Sequence, residues 1–182
     1  LIANSQQQKK SLMQQLLTGK KRFTRFEKDW NEFSLDFWLK EYKEKSEKQD
    51  QHPVLTSSKK GLILQSEYFG NSRIADKDNI GFHVLPTNYM TYRSRSDDGF
   101  FTFNLNQSGR IGIISNYYPV FYSPNGVNEF FISLFEYKSP IFGAYSVGTS
   151  QKVLSFNALR IRPTMSKSFP DTEGIKTRHT YG

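Results

Sequence analysis

Lys59 and Lys60 follow Ser57 and Ser58 and precede Gly61 in the stretch TSSKKG. Hydroxyl and ammonium donors next to a glycine, where backbone can approach closely, suit contact with phosphate oxygens. Further along, Arg93, Arg95 and Arg110 stand near Asn104, Asn106 and Gln107, with Tyr92 adjoining the first arginine. A guanidinium fork matches O6 and N7 of guanine, and a side-chain amide matches N6 and N7 of adenine. These eleven residues (Ser57, Ser58, Lys59, Lys60, Tyr92, Arg93, Arg95, Asn104, Asn106, Gln107, Arg110) are the candidate nucleic-acid contacts. A plain surface turn accounts for TSSKKG equally well, and each arginine also fits an ordinary surface charge.

Catalytic constellations are missing from the sequence. There is no cysteine, and His52, His83 and His179 are scattered without H-E-x-x-H spacing, which argues against a zinc site. No G-x-x-x-x-G-K-[ST], G-x-G-x-x-G or G-x-S-x-G occurs. Glu136-Tyr137-Lys138 matches half of a nuclease carboxylate–lysine site, but no pattern fixes an upstream aspartate. Asn116-Tyr117-Tyr118-Pro119 lacks the proline placement of the N-P-P-Y loop of amino-methyltransferases. The expectation is a non-catalytic protein that needs no metal or cofactor.

The elements that must position the candidates are mixed. Leu1–Thr18 contains no Gly or Pro and has Ile2, Ser5, Lys9, Leu12, Leu16 and Gly19 at heptad seam positions. Leu12, Met13, Leu16 and Leu17 form an apolar stripe that predicts contact with a partner helix; packing on its own domain is the competing reading. Gly19 is placed to end this helix, and Lys20, Lys21 and Arg22 complement its negative end. Trp30–Tyr42 fits both helical and strand periods, and its aromatics Trp30, Phe33, Phe37 and Trp38 read as core. Lys43–Gln51 reads as a solvated charged loop, and 70–79 as polar loop. Val54–Leu55, Leu62–Leu64 and Ile80–Leu85 read as strands.

The stretch Asn88–Tyr122 reads as a meander turning at Asp97-Asp98-Gly99 and Gln107-Ser108-Gly109. Tyr89, Tyr92, Phe100, Phe101, Phe103, Ile111, Ile113, Ile114, Val120 and Phe121 supply its buried surface. A turn at Ser123–Gly126 precedes a core-facing helix over Asn128–Tyr137 with Asn128 as N-cap, then a loop over Gly143–Gln151 and a last short element over Lys152–Leu159. Residues 161–182 lose hydrophobic periodicity and read as a disordered or frame-shifted tail.

The sequence therefore predicts an α+β fold: a β-rich domain with packed helices over 23–160, preceded at 1–22 by the end of a long coiled-coil-type helix. The 182 residues suffice for one core, and 16 Phe with 10 Tyr favour strands. A formal net charge of +8 is compatible with an anionic partner. No apolar run approaches membrane-span length and the Gln-rich start is not a signal peptide, so a cytoplasmic location without membrane contact is expected.

Gln6–Phe23 (QQQKKSLMQQLLTGKKRF) resembles the end of the conserved helix of type I restriction–modification specificity subunits. His52–Phe69, Asn88–Ser96, Gly109–Phe121 and Gly148–Leu159 are similar to a target-recognition domain of that family. The resemblance implies recognition of one half of a split double-stranded DNA target by a subunit with no catalytic site. It also implies helices that act as spacers and dock methyltransferase subunits, and through them the restriction subunit. The chain departs from the family pattern at both ends. It opens at Leu1 within a helical pattern, with no preceding domain, and after Leu159 it lacks the expected strand and second helix. A truncated or frame-shifted fragment is the expectation. The alternative is a half-size subunit that dimerises or docks through Leu12, Met13, Leu16 and Leu17 without specific DNA binding of its own. A third reading, sequence-tolerant single-strand or RNA binding by stacked aromatics, competes with the use of those rings as core.

Overall fold

Helix α1 (Ile2–Leu17) ends where the glycine predicts. Gly19 takes a φ of 72°, which a residue without Cβ adopts readily, and Thr18 closes the last turn. Its N–H and Oγ1 donate to the Gln14 carbonyl at 3.0 and 2.7 Å. The computed structural model describes residues 2–24, 34–70, 78–124 and 128–161. Trp30, Phe33, most of the connector before them, the second half of the turn expected at 123–126, and the expected tail from 162 onward lie outside the described residues.

The ambiguous stretch divides. Leu35–Trp38 is one helical turn, α2, capped by Ser34, whose Oγ accepts from Asp36 N at 3.2 Å, and Lys40–Tyr42 is strand β1. Leu35 and Trp38 are buried, whereas Phe37, expected in the core, is 59% exposed, with its ring edge-on to that of Trp38. Next come β2 (Val54–Ser58), β3 (Gly61–Leu64), α3 (Gln65–Phe69), β4 (His83–Leu85), β5 (Met90–Tyr92) and β6 (Arg95–Ser96). The rest is β7 (Phe103–Leu105), β8 (Gly112–Ile114), β9 (Val120–Tyr122), α4 (Asn128–Tyr145), β10 (Lys152–Val153) and α5 (Phe156–Ile161). The α+β expectation holds.

The expected meander does not. Its strands are shared between sheets: β5, β7 and β9 join β1 in the antiparallel order β1-β9-β5-β7, while β8 crosses to a second sheet of order β3-β2-β8-β4. There β8 runs parallel to β2 and antiparallel to β4. Gly112 permits this close pairing, since a Cβ on it would lie 2.4 Å from Leu55 Cδ1. A third unit is the two-stranded ribbon β10-β6.

The main core lies between the first sheet and the helices. Phe103 is at its centre, with ring centroids 4.6 Å from Phe135, 4.7 Å from Tyr92 and 5.1 Å from Phe142. The helix expected to stop at Tyr137 continues through Pro140 to Tyr145. Pro140 has no N–H for the preceding turn, but continuation buries Phe142 completely, and that burial outweighs one lost hydrogen bond. At Gly143 the helix backbone comes so close to the Asp98-Gly99 turn that a Cβ would sit 3.0 Å from the Gly99 carbonyl oxygen. Asn128 does not cap α4 as expected. Its Oδ1 accepts from Ser123 N and its Nδ2 donates to Asn88 O, both at 2.7 Å, tying two turns together.

The stripe on α1 is split by the same core. Leu17 is 6% exposed and belongs to the main cluster, so it is not available to a partner helix, contrary to the expectation from the sequence. Met13 and Leu16 are half-buried and Leu12 is exposed. The helix contacts α4, so local packing claims at least part of the stripe.

Candidate nucleic-acid interface

The β2–β3 hairpin is longer than the sequence suggests. Thr56, Ser57 and Ser58 continue the strand, leaving Lys59 and Lys60 alone at the tip. Ser58 Oγ closes this turn, accepting from Lys60 N at 3.1 Å and donating to Gly61 O at 2.9 Å. Gly61 itself takes a φ of 117°, a conformation that suits glycine. Opposite the hairpin lies the segment from Arg93 to Thr102. Between them is an open cleft of about 780 Å³ lined by Ser57, Ser58, Lys59, Lys60, Arg93 and Arg95, with Tyr68, Phe100 and the carboxylates Glu67, Asp97 and Asp98. Six of the predicted contacts, from two distant stretches of sequence, thus border one cavity.

The cations in it differ in their attachments. Lys59 Nζ lies 2.6 Å from Asp98 Oδ2, while Asp98 Oδ1 accepts from Ser96 Oγ at 2.7 Å and Phe100 N at 3.0 Å. The Lys59 hydrogen bond, and then those of Ser96 and Phe100, hold the Asp98 carboxyl far below the ordinary carboxylate range. Arg95 lies over the Tyr117 ring, its Cζ 4.5 Å from the centroid. Arg93 and Lys60 are exposed, with no side-chain ion pair or hydrogen bond among the described residues.

A second cleft, of about 700 Å³, adjoins the first and shares Ile63 and Glu67 with it. It lies between β3, β7 and α4 and holds Asn104, Gln107 and Arg110 together with Ile111. Asn104 Nδ2 donates to Ser57 Oγ at 2.7 Å and Ser58 O at 3.0 Å, so this amide also ties the two sheets. Gln107 and Arg110 are exposed.

Three predicted contacts are corrected by burial. Tyr92 is fully buried and its OH donates to Leu154 O at 2.9 Å; burial pushes its phenol pKa far up. Asn106 is 1% exposed and saturated. Its Nδ2 shares two N–H donors among the carbonyls of Leu85, Pro86 and Arg110 at 3.0, 3.2 and 3.0 Å, and its Oδ1 accepts from Ser108 N and Oγ. Ser57 is buried too, with its hydroxyl accepting from Asn104. Conversely, Phe100 and Ile111, expected in the core, are 55% and 43% exposed at the clefts. Tyr117 and Asp98 carry no signal of their roles in the sequence, because the partner that gives each its role is distant in the chain.

The turn carrying Tyr117 is fastened on several sides. Ser94 N and Oγ donate to Tyr117 O at 3.0 and 2.7 Å, Lys45 Nζ reaches Asn116 Oδ1, and His83 Nδ1 donates to Tyr118 O at 2.9 Å. Burial lowers the His83 pKa, partly opposed by the Tyr118 hydrogen bond. His83 is therefore neutral in the folded protein at pH 7. As pH falls from about 6.5, the unfolded chain takes up the proton first, and stability declines. Urea melts from pH 7.5 to 5 should show this fall, and His83→Gln should flatten it; an equal slope in both proteins would rule the histidine out as its source.

No protein-family model matches the sequence, and no curated protein does. Among solved structures, the fold is similar to a type I restriction-modification system S subunit from M. genitalium, with 10% sequence identity and a TM-score of 0.49 over 78% of this chain. The chain covers 35% of the length of that structure.

Proposed function

We propose that this chain is a non-catalytic reader of double-stranded DNA that recognises one half of a split target. In this reading 23–160 is the recognition unit and 1–22 is the end of a spacer helix. The observation that carries it is the convergence of Lys59, Lys60, Arg93 and Arg95 on one open cleft, beside a second one presenting Asn104, Gln107 and Arg110. Lysines at a hairpin tip suit phosphates, and exposed guanidiniums and the exposed Gln107 amide suit base edges in the major groove. The resemblance of Gln6–Phe23 to the specificity-subunit helix supports a role inside a larger assembly, with a methyltransferase as the docking partner of α1. Leu12, being exposed, and the partly covered Met13 and Leu16 are what α1 offers to that partner or to a second copy. The contact set for DNA is Ser58, Lys59, Lys60, Arg93, Arg95, Asn104, Gln107 and Arg110.

Selection of bound duplexes from a randomised double-stranded library tests the reading. A reproducible short motif is expected, with affinity falling as salt rises. Failure to enrich any sequence at any salt would refute it.

The Lys59–Asp98 pair sharpens this. Any phosphate that takes Lys59 must displace a carboxylate held by two further donors. Asp98→Asn should therefore raise duplex affinity a few-fold at low salt and steepen the log–log salt slope by about one. Fluorescence polarisation across a salt series measures both; an unchanged slope would remove Lys59 from the phosphate contacts.

A further inference from the structure

The cations of the first cleft are unequal, and one of them lies against an aromatic ring. We infer that Arg95 reads a guanine and that Tyr117, across the sheet boundary, is the positioning residue that holds its fork ready. The inference rests on the duplex-reading proposal above and deepens it.

Both ends of the Arg95 side chain are constrained. At the backbone, Arg95 pairs with Val153 in the β6–β10 ribbon, and its neighbour Ser94 is fixed to the Tyr117 carbonyl by main chain and side chain. At the tip, the guanidinium rests on the Tyr117 ring. The backbone beneath that ring is fastened, because Lys45, His83 and Ser94 all grip residues 116–118, and Tyr118 OH lies 3.3 Å from Thr56 Oγ1. Stacking occupies a face of the guanidinium but leaves its in-plane N–H donors for bidentate acceptors such as O6 and N7 of guanine.

The nearby acids do not take those donors. Asp98 is committed to Lys59, Ser96 and Phe100, and Asp97 Oδ1 accepts from Gln151 Nε2 at 3.1 Å. Arg95 is thus an exposed, oriented fork with no hydrogen-bonding partner among the described residues. Arg93 and Arg110 have no comparable support, so they lose more rotamer freedom on binding and suit phosphate contact better.

The test compares wild type, Tyr117→Phe, Tyr117→Leu and Arg95→Lys by selection from a randomised duplex library, followed by titration of the enriched duplex and of versions with each G·C pair changed. Tyr117→Phe keeps the ring and should match wild type. Tyr117→Leu and Arg95→Lys should lose discrimination at one and the same G·C pair, by roughly tenfold or more, with little change elsewhere. Low-salt affinity for non-cognate duplex and the circular dichroism spectrum report folding in every variant, and Arg95→Lys keeps the charge. If Tyr117→Leu keeps wild-type preference at every position, or loses it at all positions equally while folded, Tyr117 does not aim a base-reading fork. If wild type itself enriches nothing, the duplex-reading proposal has failed, and this inference falls with it.

Discussion

Asn106→Ala should destabilise the fold by about 3–4 kcal/mol, because a buried polar group left without its partner costs roughly 1–3 kcal/mol and this side chain serves several. Its amide nitrogen supplies the carbonyls of Leu85, Pro86 and Arg110, and its oxygen takes both Ser108 donors. Of the three carbonyls, that of Arg110 has a replacement donor in the variant: the Ser108 hydroxyl, 3.1 Å away, no longer needs its one proton for Asn106 Oδ1. Leu85 ends β4 and Pro86 follows it, so the amide joins the second sheet to the loop after β7. Asn106→Asp is the sharper variant. It keeps the shape, removes both N–H donors and sets a carboxylate against carbonyl oxygens, so at pH 7 it should be worse than alanine and should recover partly as the acid is protonated. Urea unfolding monitored by tryptophan fluorescence and circular dichroism measures both. A loss below about 1 kcal/mol for Asn106→Ala, accompanied by altered base preference, would return Asn106 to the proposed DNA contacts.

Phe103→Ala should cost about 3–5 kcal/mol. The ring touches Tyr92 on the neighbouring strand and Phe135 and Phe142 on either side of Pro140 in α4. Removing it leaves a void bounded by a sheet and a proline-containing helix, neither of which can close in without moving the other. Phe103→Leu fills most of the space and should cost about 1–1.5 kcal/mol. Equal denaturation midpoints for the alanine variant and wild type would mean that α4 is held by other contacts, with Phe142 and Phe135 sufficient.

The residues that are structural and those that remain at the surface look alike in the sequence. Asn104 and Asn106 are two apart in one strand-and-turn segment, both amides, both near arginines. Both border the second cleft, but Asn104 is half-buried, whereas Asn106 is 1% exposed and enclosed by carbonyls some twenty positions away, which spacing does not reveal. Local chemistry is legible where it decides locally: Gly19 ends α1, Gly61 shapes the hairpin, and the lysine pair stands at its tip. It fails where burial overrides it. Pro140 looks like a helix boundary and is not one, and the phenylalanines at 37 and 100 look like core and face outward. The division of one apparent meander into two sheets is hidden for another reason. Strands of three residues, several buried on both faces, carry no alternation to read.

The ribbon that fixes Arg95 joins residue 95 to residue 153, and residues 147 and 153 bridge each other nearby. Synthesis from the N-terminus therefore yields the lysine hairpin and the segment facing it before the strand that pairs with Arg95. A nascent chain ending before Lys152 already has Lys59 and Lys60 but has nothing to pair with Arg95. In the proposed reading, the ability to hold phosphate then precedes the ability to tell bases apart.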